Sequence, residues 1–149
     1  GVDYSLTYGN VSGNTQILNN VEYNDLEAQV YSVNVGVAGL SATYKYHTYG
    51  DSGLTKSDTS DGNGTGAVTA VTYKMGNITL GYFHAETSIE ISTNTAESSM
   101  EEDIFGVGYN LGGGVMLEAS HGTKEEIGGS DSLKDTEADI SVLKLSFGF

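Results

Sequence analysis

An all-β, antiparallel fold is predicted by three features of the sequence. Apolar and polar residues alternate over segments of about ten residues, the pattern of a strand with one dry face and one wet face. Clusters of Gly, Asn, Asp and Ser separate these segments, and the 149-residue chain contains no proline. A lack of proline suits strands in which every backbone N–H donates to a neighbour. A chain of this length is ordinarily a single domain, so residues 1–149 are interpreted as one β-domain.

Eight segments carry the alternation, in chain order. The pattern is clearest over residues 34–50, where NVGVAGLSATYKYHTYG contains two alternating runs separated by Gly39. The predicted strands cover residues 2–10, 26–37, 40–49, 66–75, 78–85, 103–111, 115–122 and 138–149. Most of them have the roughly 9–11 residues that a tilted strand needs to cross a bilayer. In the second strand the alternation changes phase near Val30-Tyr31, which predicts a β-bulge at that point.

The connections between these strands alternate in length. Short connections, rich in the Gly and Asn that supply the positive φ of tight hairpins, are Ala38-Gly39, Gly76-Asn77 and Gly112-Gly113-Gly114. Long connections cover about residues 11–25, 50–65, 86–102 and 123–137. Short turns at one rim and long loops at the other are typical of transmembrane β-barrels. The predicted fold class is therefore an antiparallel transmembrane β-barrel.

The charged residues divide between the two rims in the same way. The chain has 20 acidic residues against six lysines and no arginine, for a net charge of -14, and it has no cysteine. This composition lacks the basic stripe that neutralises phosphates, which excludes nucleic-acid binding, and it excludes a disulfide framework. The short turns carry no charge, whereas most acids fall in the long loops. Acidic loops also keep a surface solvated, so the acidic rim has an ordinary alternative explanation.

The direction of the apolar face decides between two classes of protein. In a soluble β-sandwich the apolar face is the core, whereas in a membrane barrel it meets lipid and the polar face lines the interior. Aromatic residues on the apolar phase lie near both strand ends, as expected for side chains at two membrane interfaces. Toward the short-turn rim these are Tyr73, Tyr109, Phe147 and Phe149, and toward the long-loop rim they are Tyr8, Tyr46, Tyr82 and Phe105. The high β-propensity of Tyr and Phe is the alternative explanation.

The opposite phase of the strands is rich in Gly, Ser and Thr and carries few charges. Its predicted lumen-lining residues are Asp3, Lys45, His47, Lys74, Glu118 and Lys144. Small polar side chains leave space for water, which favours the wall of a hydrated pore over an interior filled by side chains. The near balance of acids and lysines also allows a network of internal salt bridges.

The C-terminal part of the chain has a specific resemblance. FGVGYNLGGGVMLEASHG, an acidic loop and then ISVLKLSFGF resemble the last three strands of Gram-negative bacterial porins, of the general diffusion porin superfamily. In that family, alternating apolar residues before a C-terminal Phe are the signal read by the barrel-assembly machinery. The residues similar to that signal are Leu143, Leu145, Phe147 and Phe149. The resemblance covers the chain in pattern and about its last 45 residues in motif.

The resemblance implies a water-filled channel in the bacterial outer membrane that passes small hydrophilic solutes or ions by passive diffusion. It also implies contact with lipid and lipopolysaccharide, and assembly as a homotrimer. Porins of this class have about sixteen strands and an arginine cluster at the constriction, whereas this chain offers eight predicted strands and no arginine. A pore built differently from that of these porins is one explanation, and two assemblies of porin type also remain open. The chain is either a complete eight-stranded barrel, in which Asp3 approaches Lys144, or the C-terminal half of a sixteen-stranded porin.

Neither catalysis nor a bound cofactor is expected from the sequence. The three histidines are His47, His84 and His121. No nucleophile elbow or paired-carboxylate motif accompanies them. The strongest ion candidate is an acidic outer rim formed by Glu101, Glu102 and Asp103, where Ca²⁺ or Mg²⁺ would bridge the carboxylates to lipopolysaccharide.

These observations lead to three hypotheses about function. The first is a cation-preferring porin, because acidic loops would enrich cations at the mouth of the channel. The second is a closed eight-stranded outer-membrane barrel with a structural or surface-interaction role. The third is a soluble β-sandwich or fibre module, which would bury Tyr44, Leu80 and Phe147 beneath a second layer.

Overall fold

The computed structural model of the chain is an all-β molecule. It describes residues 1–13, 17–18, 21–22, 25–50, 63–91, 96–128 and 135–148. The strands are β1 (Val2–Gly13), β2 (Ile17–Leu18), β3 (Val21–Glu22), β4 (Leu26–Val37), β5 (Leu40–Tyr49), β6 (Gly64–Met75), β7 (Ile78–Ile91), β8 (Ala96–Gly112), β9 (Val115–Ile127) and β10 (Thr136–Phe147). Among the described residues, eight strands form one antiparallel sheet in the order β1-β4-β5-β6-β7-β8-β9-β10, and β2 pairs with β3.

The eight predicted strands are confirmed. Residues 26–37 and 40–49 have the predicted bounds, and the other six strands extend further toward the long-loop rim. The predicted loop at 86–102 is wrong over most of its length, because β7 continues to Ile91 and β8 begins at Ala96. Charged side chains on an exposed strand do not interrupt its backbone ladder, so acidic composition alone does not end a strand. The predictions for residues 14–16, 19–20, 23–24, 51–62, 92–95, 129–134 and Phe149 lie outside the described residues.

The short turns are confirmed, and their backbone explains their composition. Ala38 and Gly39 have φ of 48° and 85°, as a two-residue hairpin of the I′ type requires at both positions. Gly76 has φ of 57°, which places a glycine at the first central position, as in a II′ turn. Gly112, Gly113 and Gly114 also have positive φ. These turns all join consecutive strands at the same end of the sheet.

The predicted β-bulge near Val30-Tyr31 is wrong. Pairing runs without a register shift along the described residues of β4, against both β1 and β5. Val30 lies opposite Gly9 and His47 on the polar phase, whereas Tyr31 remains on the apolar phase. The apolar side chain of Val30 at a polar-phase position therefore gave the false appearance of a phase change. The register shift that does occur lies in β8, between residues 110 and 112.

Successive short turns are displaced along the strands in one direction. Leu40 follows the first turn and pairs with Tyr73, and β6 runs two residues further, to Met75, before it turns. The last residue of each turn accepts a backbone hydrogen bond from the strand that runs past it: Lys74 N to Gly39 O (2.9 Å), Asn110 N to Asn77 O (2.8 Å) and Gly148 N to Gly114 O (2.7 Å). Each hairpin adds two strands, spaced about 4.8 Å apart, and is displaced along the strands by two residues, each rising about 3.4 Å. These dimensions correspond to a strand tilt of about 35°.

The sheet is not closed into a barrel. Among the described residues, β1 pairs with β4 alone and β10 pairs with β9 alone. The expectation of a complete eight-stranded barrel, with Asp3 beside Lys144, is therefore wrong. Lys144 lies opposite Glu118 instead. Asp3 and Lys144 lie at nearly the same height on the two edges of the sheet. When tilted strands close a barrel, the first and last strands pair with a stagger, so residues at the same height on the two edges would not become partners.

The described part of the chain has almost no buried core. Its buried apolar residues are Ala67 (6% exposed) and Ala85 (8% exposed). Tyr44, Leu80 and Phe147 are 48%, 44% and 61% exposed. A second layer over the apolar phase, which a β-sandwich needs, is therefore not formed by the described residues. None of the described residues forms a helix that is long and apolar enough to span a membrane.

Candidate functional site

Two faces of the eight-stranded sheet differ in chemistry. Directly opposed residues on neighbouring strands share a face, so the register assigns each strand residue to one of the two. On the apolar face, one row contains Val2, Val37, Leu40, Tyr73, Leu80, Val107, Ala119 and Leu143. On the polar face, the neighbouring row contains Asp3, Gly36, Ser41, Thr72, Gly81, Gly106, Ser120 and Val142. One face is thus continuously apolar across all eight strands, and the other is built mainly from small residues.

A row of aromatic side chains bounds the apolar face toward the long-loop rim. Tyr8 packs against Tyr31 with ring centroids 5.1 Å apart, and Tyr82 packs against Phe105 at 4.7 Å. We call Tyr8, Tyr31, Tyr46, Tyr82 and Phe105 the loop-side aromatic row. Tyr31, Tyr46 and Phe105 lie six or seven residues from the turn end of their strands, and Tyr82 lies four from it. The row therefore runs roughly parallel to the short-turn rim. Like that rim, it crosses the tilted strands at an oblique angle.

The other predicted aromatic residues occupy the same face nearer the short turns. Tyr73 pairs with Leu80, Tyr109 pairs with Ile78 and Leu117, and Phe147 pairs with Val115. Phe149 lies outside the described residues. Tyr31 also belongs to the loop-side aromatic row: alternation predicts its place on the apolar face, although the predicted girdle does not include it.

All six predicted lumen-lining residues lie on the polar face. They are Asp3, Lys45, His47, Lys74, Glu118 and Lys144. The structure brings two of them into contact, because Lys144 Nζ lies 3.1 Å from Glu118 Oε2. Ser146 Oγ donates to the same carboxylate oxygen at 3.4 Å. A cleft of about 350 Å³ lies beside this pair, with Gly81, Gly106 and Gly108 in its lining.

His47 is held over a glycine on the polar face. It lies opposite Gly66, and a Cβ at Gly66 would collide with the His47 ring. A glycine therefore makes room for the imidazole. The ring stacks at 16° on Tyr49, with centroids 6.3 Å apart, and Tyr49 covers Gly64 in the same way. These glycines fix the position of two aromatic side chains on this face.

Charges are sorted between the two faces. The described lysines, all on the polar face, are Lys45, Lys74, Lys124 and Lys144. The strand acids on that face are Asp3, Glu102, Glu118 and Glu126. Strand acids on the apolar face, beyond the loop-side aromatic row, include Glu86, Glu101, Asp103, Glu125, Glu137 and Asp139. Among the described strand residues, the polar face is therefore charge-balanced, whereas the loop end of the apolar face carries acids without lysines.

An ion pair on the polar face near the long-loop rim was not anticipated from the sequence. Lys124 Nζ contacts Glu126 Oε1 on its own strand, and Lys124 lies opposite Glu102 on β8. The Glu126 carboxylate accepts a hydrogen bond from the ammonium group and thereby raises the pKa of Lys124. Alternation within β9 contained the signal for this pair, because residues two apart on a strand share a face.

The acidic outer rim is divided by the same alternation. Glu102 faces Lys124 on the polar face, whereas Glu101 and Asp103 lie on the apolar face. Consecutive strand residues point to opposite sides, so the three carboxylates do not converge on one ion. His84 on β7 lies opposite Asp103 instead.

The residues that do converge form a mixed cluster of an imidazole and two carboxylates, which we call the His84 cluster (His84, Glu101 and Asp103). One donor atom of each residue lies within 4.8 Å of the others. His84 Nδ1 is 3.1 Å from Asp103 Oδ1, and the Tyr82 hydroxyl donates to that oxygen at 2.7 Å. The hydrogen bonds from Tyr82 and, next in size, from His84 lower the pKa of Asp103. The cluster could not be found without the β7–β8 register.

Comparisons of the chain with protein-family models, with curated proteins and with solved structures find no match. Function is therefore inferred from the two faces of the sheet. The feature to be explained is an exposed apolar face, bounded by aromatic residues, that backs onto a small-residue face with balanced charge.

Proposed function

We propose that the chain forms the wall of a water-filled porin channel in the bacterial outer membrane, which passes small hydrophilic solutes or ions by passive diffusion. The observation that carries the proposal is the exposed apolar face. Its large side chains alternate along every strand of the main sheet, and they lie exposed rather than beneath a second layer. Lipid hydrocarbon is the medium in which such a face is stable.

Exposure of this face to water would be costly. Burying one Val, Leu, Ile or Phe side chain stabilises a protein by about 1.5–3 kcal/mol, and apolar surface of this extent marks an interaction site. The outline of the apolar face favours lipid over a protein partner, because its aromatic border stays at a similar distance from the short-turn rim from strand to strand. Tyr and Phe prefer the membrane–water interface, so a border at constant height is expected for a bilayer.

The tilt and the small polar residues support a barrel wall. A tilt of about 35° lies within the range of transmembrane barrels. Gly81, Gly106 and Ser120 in adjacent strands leave room for water on the polar face. Because the sheet is open, we infer that further strands complete the barrel, as in the C-terminal half of a sixteen-stranded porin.

The charge distribution suggests how the channel would discriminate among solutes. The polar face is charge-balanced among the described strand residues, so the wall itself contributes little preference. A net charge of -14 for the chain makes the surroundings of the mouth negative, which enriches cations there. We therefore propose a modest cation preference that weakens as salt screens the acidic rim. Lipopolysaccharide contact and a trimeric assembly belong to the same proposal through the resemblance to porins.

Planar-bilayer recording of the protein extracted from its native membrane, together with the strands that complete its barrel, tests the proposal. Stepwise conductance with a reversal potential that indicates cation preference in a potassium chloride gradient is the expected result. Detergent micelles without protein are the blank, and Lys74→Glu is a matched variant on the polar face that should raise the cation preference. Membranes that stay electrically silent after confirmed insertion would contradict the channel role and favour a structural barrel.

A further inference from the structure

We propose that His84, Glu101 and Asp103 bind a divalent transition-metal ion of the Zn²⁺ type, on the apolar-face side of the sheet and beyond the loop-side aromatic row. The ligands come from neighbouring strands. The site would use one imidazole nitrogen and two carboxylates, with water in the remaining coordination position, as in three-ligand zinc sites.

The donor atoms are close to the spacing that such an ion requires. One donor from each residue lies within 4.8 Å of the other two. Zn²⁺ binds nitrogen and oxygen at about 2.0–2.2 Å, which separates tetrahedral donors by about 3.5 Å. His84 Nδ1 and Asp103 Oδ1 are already 3.1 Å apart. Metal binding would bring the Glu101 carboxylate, now within 4.8 Å of the other two donors, closer to them.

The strands hold these ligands in place before an ion arrives. His84 lies directly opposite Asp103 in the β7–β8 ladder, and Glu101 is the next residue of β8 on the same face. Tyr82 donates a hydrogen bond to Asp103 and packs against Phe105. A hydrogen-bond donor of this kind orients a ligating carboxylate and supports metal affinity.

The donor set selects the class of metal. Ca²⁺ and Mg²⁺ prefer sites made of oxygen atoms, and Glu102, the third carboxylate expected at this rim, lies on the other face beside Lys124. An imidazole nitrogen takes its place. Imidazole suits Zn²⁺, Ni²⁺ and Cu²⁺, so the register converts the hard-cation site expected from the sequence into a borderline-soft one.

A row of acidic residues that runs through Glu101 also favours a bound cation at this surface. A row of directly opposed glutamates crosses four strands: Glu86, Glu101, Glu125 and Glu137. Like charges directly opposite each other destabilise a sheet, and the described lysines all lie on the opposite face. A divalent ion held beside Glu101 offsets part of this repulsion.

The proposal goes beyond the proposed channel and does not depend on it. The His84 cluster lies on the face opposite the predicted lumen, so metal binding and conductance are measured separately. Loss of one would leave the other unaffected.

Isothermal titration of ZnCl₂ into the full chain in detergent micelles tests the site. We expect one tight ion per chain, and His84→Gln and Asp103→Asn should each weaken binding by at least about tenfold, the smaller loss that even outer-shell substitutions cause. The matched control is His121→Gln, because His121 lies on the same face opposite Phe105 and bonds to Ser141. That variant should keep wild-type affinity.

Two further measurements make the outcome unambiguous. The visible spectrum of Co²⁺ bound to the unsubstituted chain should show low-coordinate nitrogen and oxygen ligation, and this readout needs no variant to fold. Ca²⁺ should compete poorly with Zn²⁺. The proposal is overturned if the chain does not bind Zn²⁺, if His84→Gln binds it as well as the unsubstituted chain, or if Ca²⁺ displaces Zn²⁺ readily.

Discussion

At the scale of single residues, neighbours along one strand meet different surroundings. Val71 pairs with Ala42 and Tyr82 on the apolar face, whereas Thr72 pairs with Ser41 and Gly81 on the polar face. Val71 and Thr72 are consecutive residues of β6 at nearly the same distance from the turn, with Val71 half-buried and Thr72 exposed. Because they point to opposite faces, the pair compares the two faces at one height on the strand.

Lysine at these two positions should therefore have very different effects. In a lipid bilayer, Val71→Lys should destabilise the folded state by about 2–4 kcal/mol, because the charge faces hydrocarbon. Thr72→Lys should cost much less, because its side chain enters the hydrated polar face. Urea unfolding in phosphatidylcholine vesicles, followed by aromatic fluorescence, measures both. Equal losses at the two positions would show that the apolar face is not against lipid.

Residue chemistry also shows where local reasoning succeeded and where it failed. The facing of Lys45, Lys74 and Lys144 followed from alternation alone and agrees with the register. The partner of His84 did not, because its contact with Asp103 joins two strands through a pairing that alternation does not specify. The face of a residue follows from alternation along its own strand, whereas a contact between strands depends on how two strands are aligned.

At the scale of elements, the short hairpins set the tilt of the sheet. Each strand that runs past a turn hydrogen-bonds to the last residue of that turn. This contact repeats the same displacement from hairpin to hairpin. A Cβ at Gly39 would lie 2.6 Å from the Lys74 carbonyl oxygen, and one at Gly114 would lie still closer to the Gly148 carbonyl oxygen, whereas a Cβ at Gly76 would meet no atom within 4 Å.

Alanine at Gly39 and at Gly76 separates backbone strain from this contact. Both have positive φ, so each substitution should cost about 1–2 kcal/mol from left-handed strain. Gly39→Ala should cost clearly more than Gly76→Ala, because its methyl group also displaces the passing β6 strand. Guanidinium unfolding midpoints of the two variants in matched micelles measure the difference. Indistinguishable midpoints would mean that the passing strand does not hold the turn.

Element boundaries were harder to predict than element existence. The acidic segments at 86–91 and 96–102 belong to β7 and β8. Their charged side chains are compatible with strands because exposed positions tolerate them, and partners for the backbone are supplied by the neighbouring strand. Local composition therefore understated the length of the sheet at its loop end.

At the scale of the whole molecule, the two edges of the open sheet differ in protection. Among the described residues, β1 carries one charged residue, Asp3, whereas β10 carries Glu137, Asp139 and Lys144, and neither edge strand contains proline. Side chains on the edges are the most exposed of the apolar face, with Leu6 and Leu143 each 75% exposed. Natural proteins usually protect edge strands with charged residues or proline, so the nearly uncharged β1 favours the proposed pairing with a further strand.

Introduced cysteines test whether the eight strands close on themselves, and the natural chain has no cysteine to interfere. Leu6→Cys combined in turn with Leu143→Cys, Leu145→Cys or Phe147→Cys should form no disulfide within one chain. The control is Leu6→Cys with Val33→Cys, a directly opposed pair on β1 and β4 that should cross-link. Non-reducing electrophoresis with intact mass gives the answer. A disulfide in any β1–β10 pair would establish a small closed barrel.

The sequence by itself determined the strands, their short turns and the face of nearly every strand residue. These follow from alternation and from turn chemistry, which act over a few neighbouring residues. Only the tertiary structure decided that the sheet stays open, that β4 has no bulge, and that Glu102 faces Lys124 while Asp103 faces His84. The physical reason is that register describes the alignment of one strand against another. It depends on contacts between residues many positions apart and on the displacement of each hairpin relative to its neighbour.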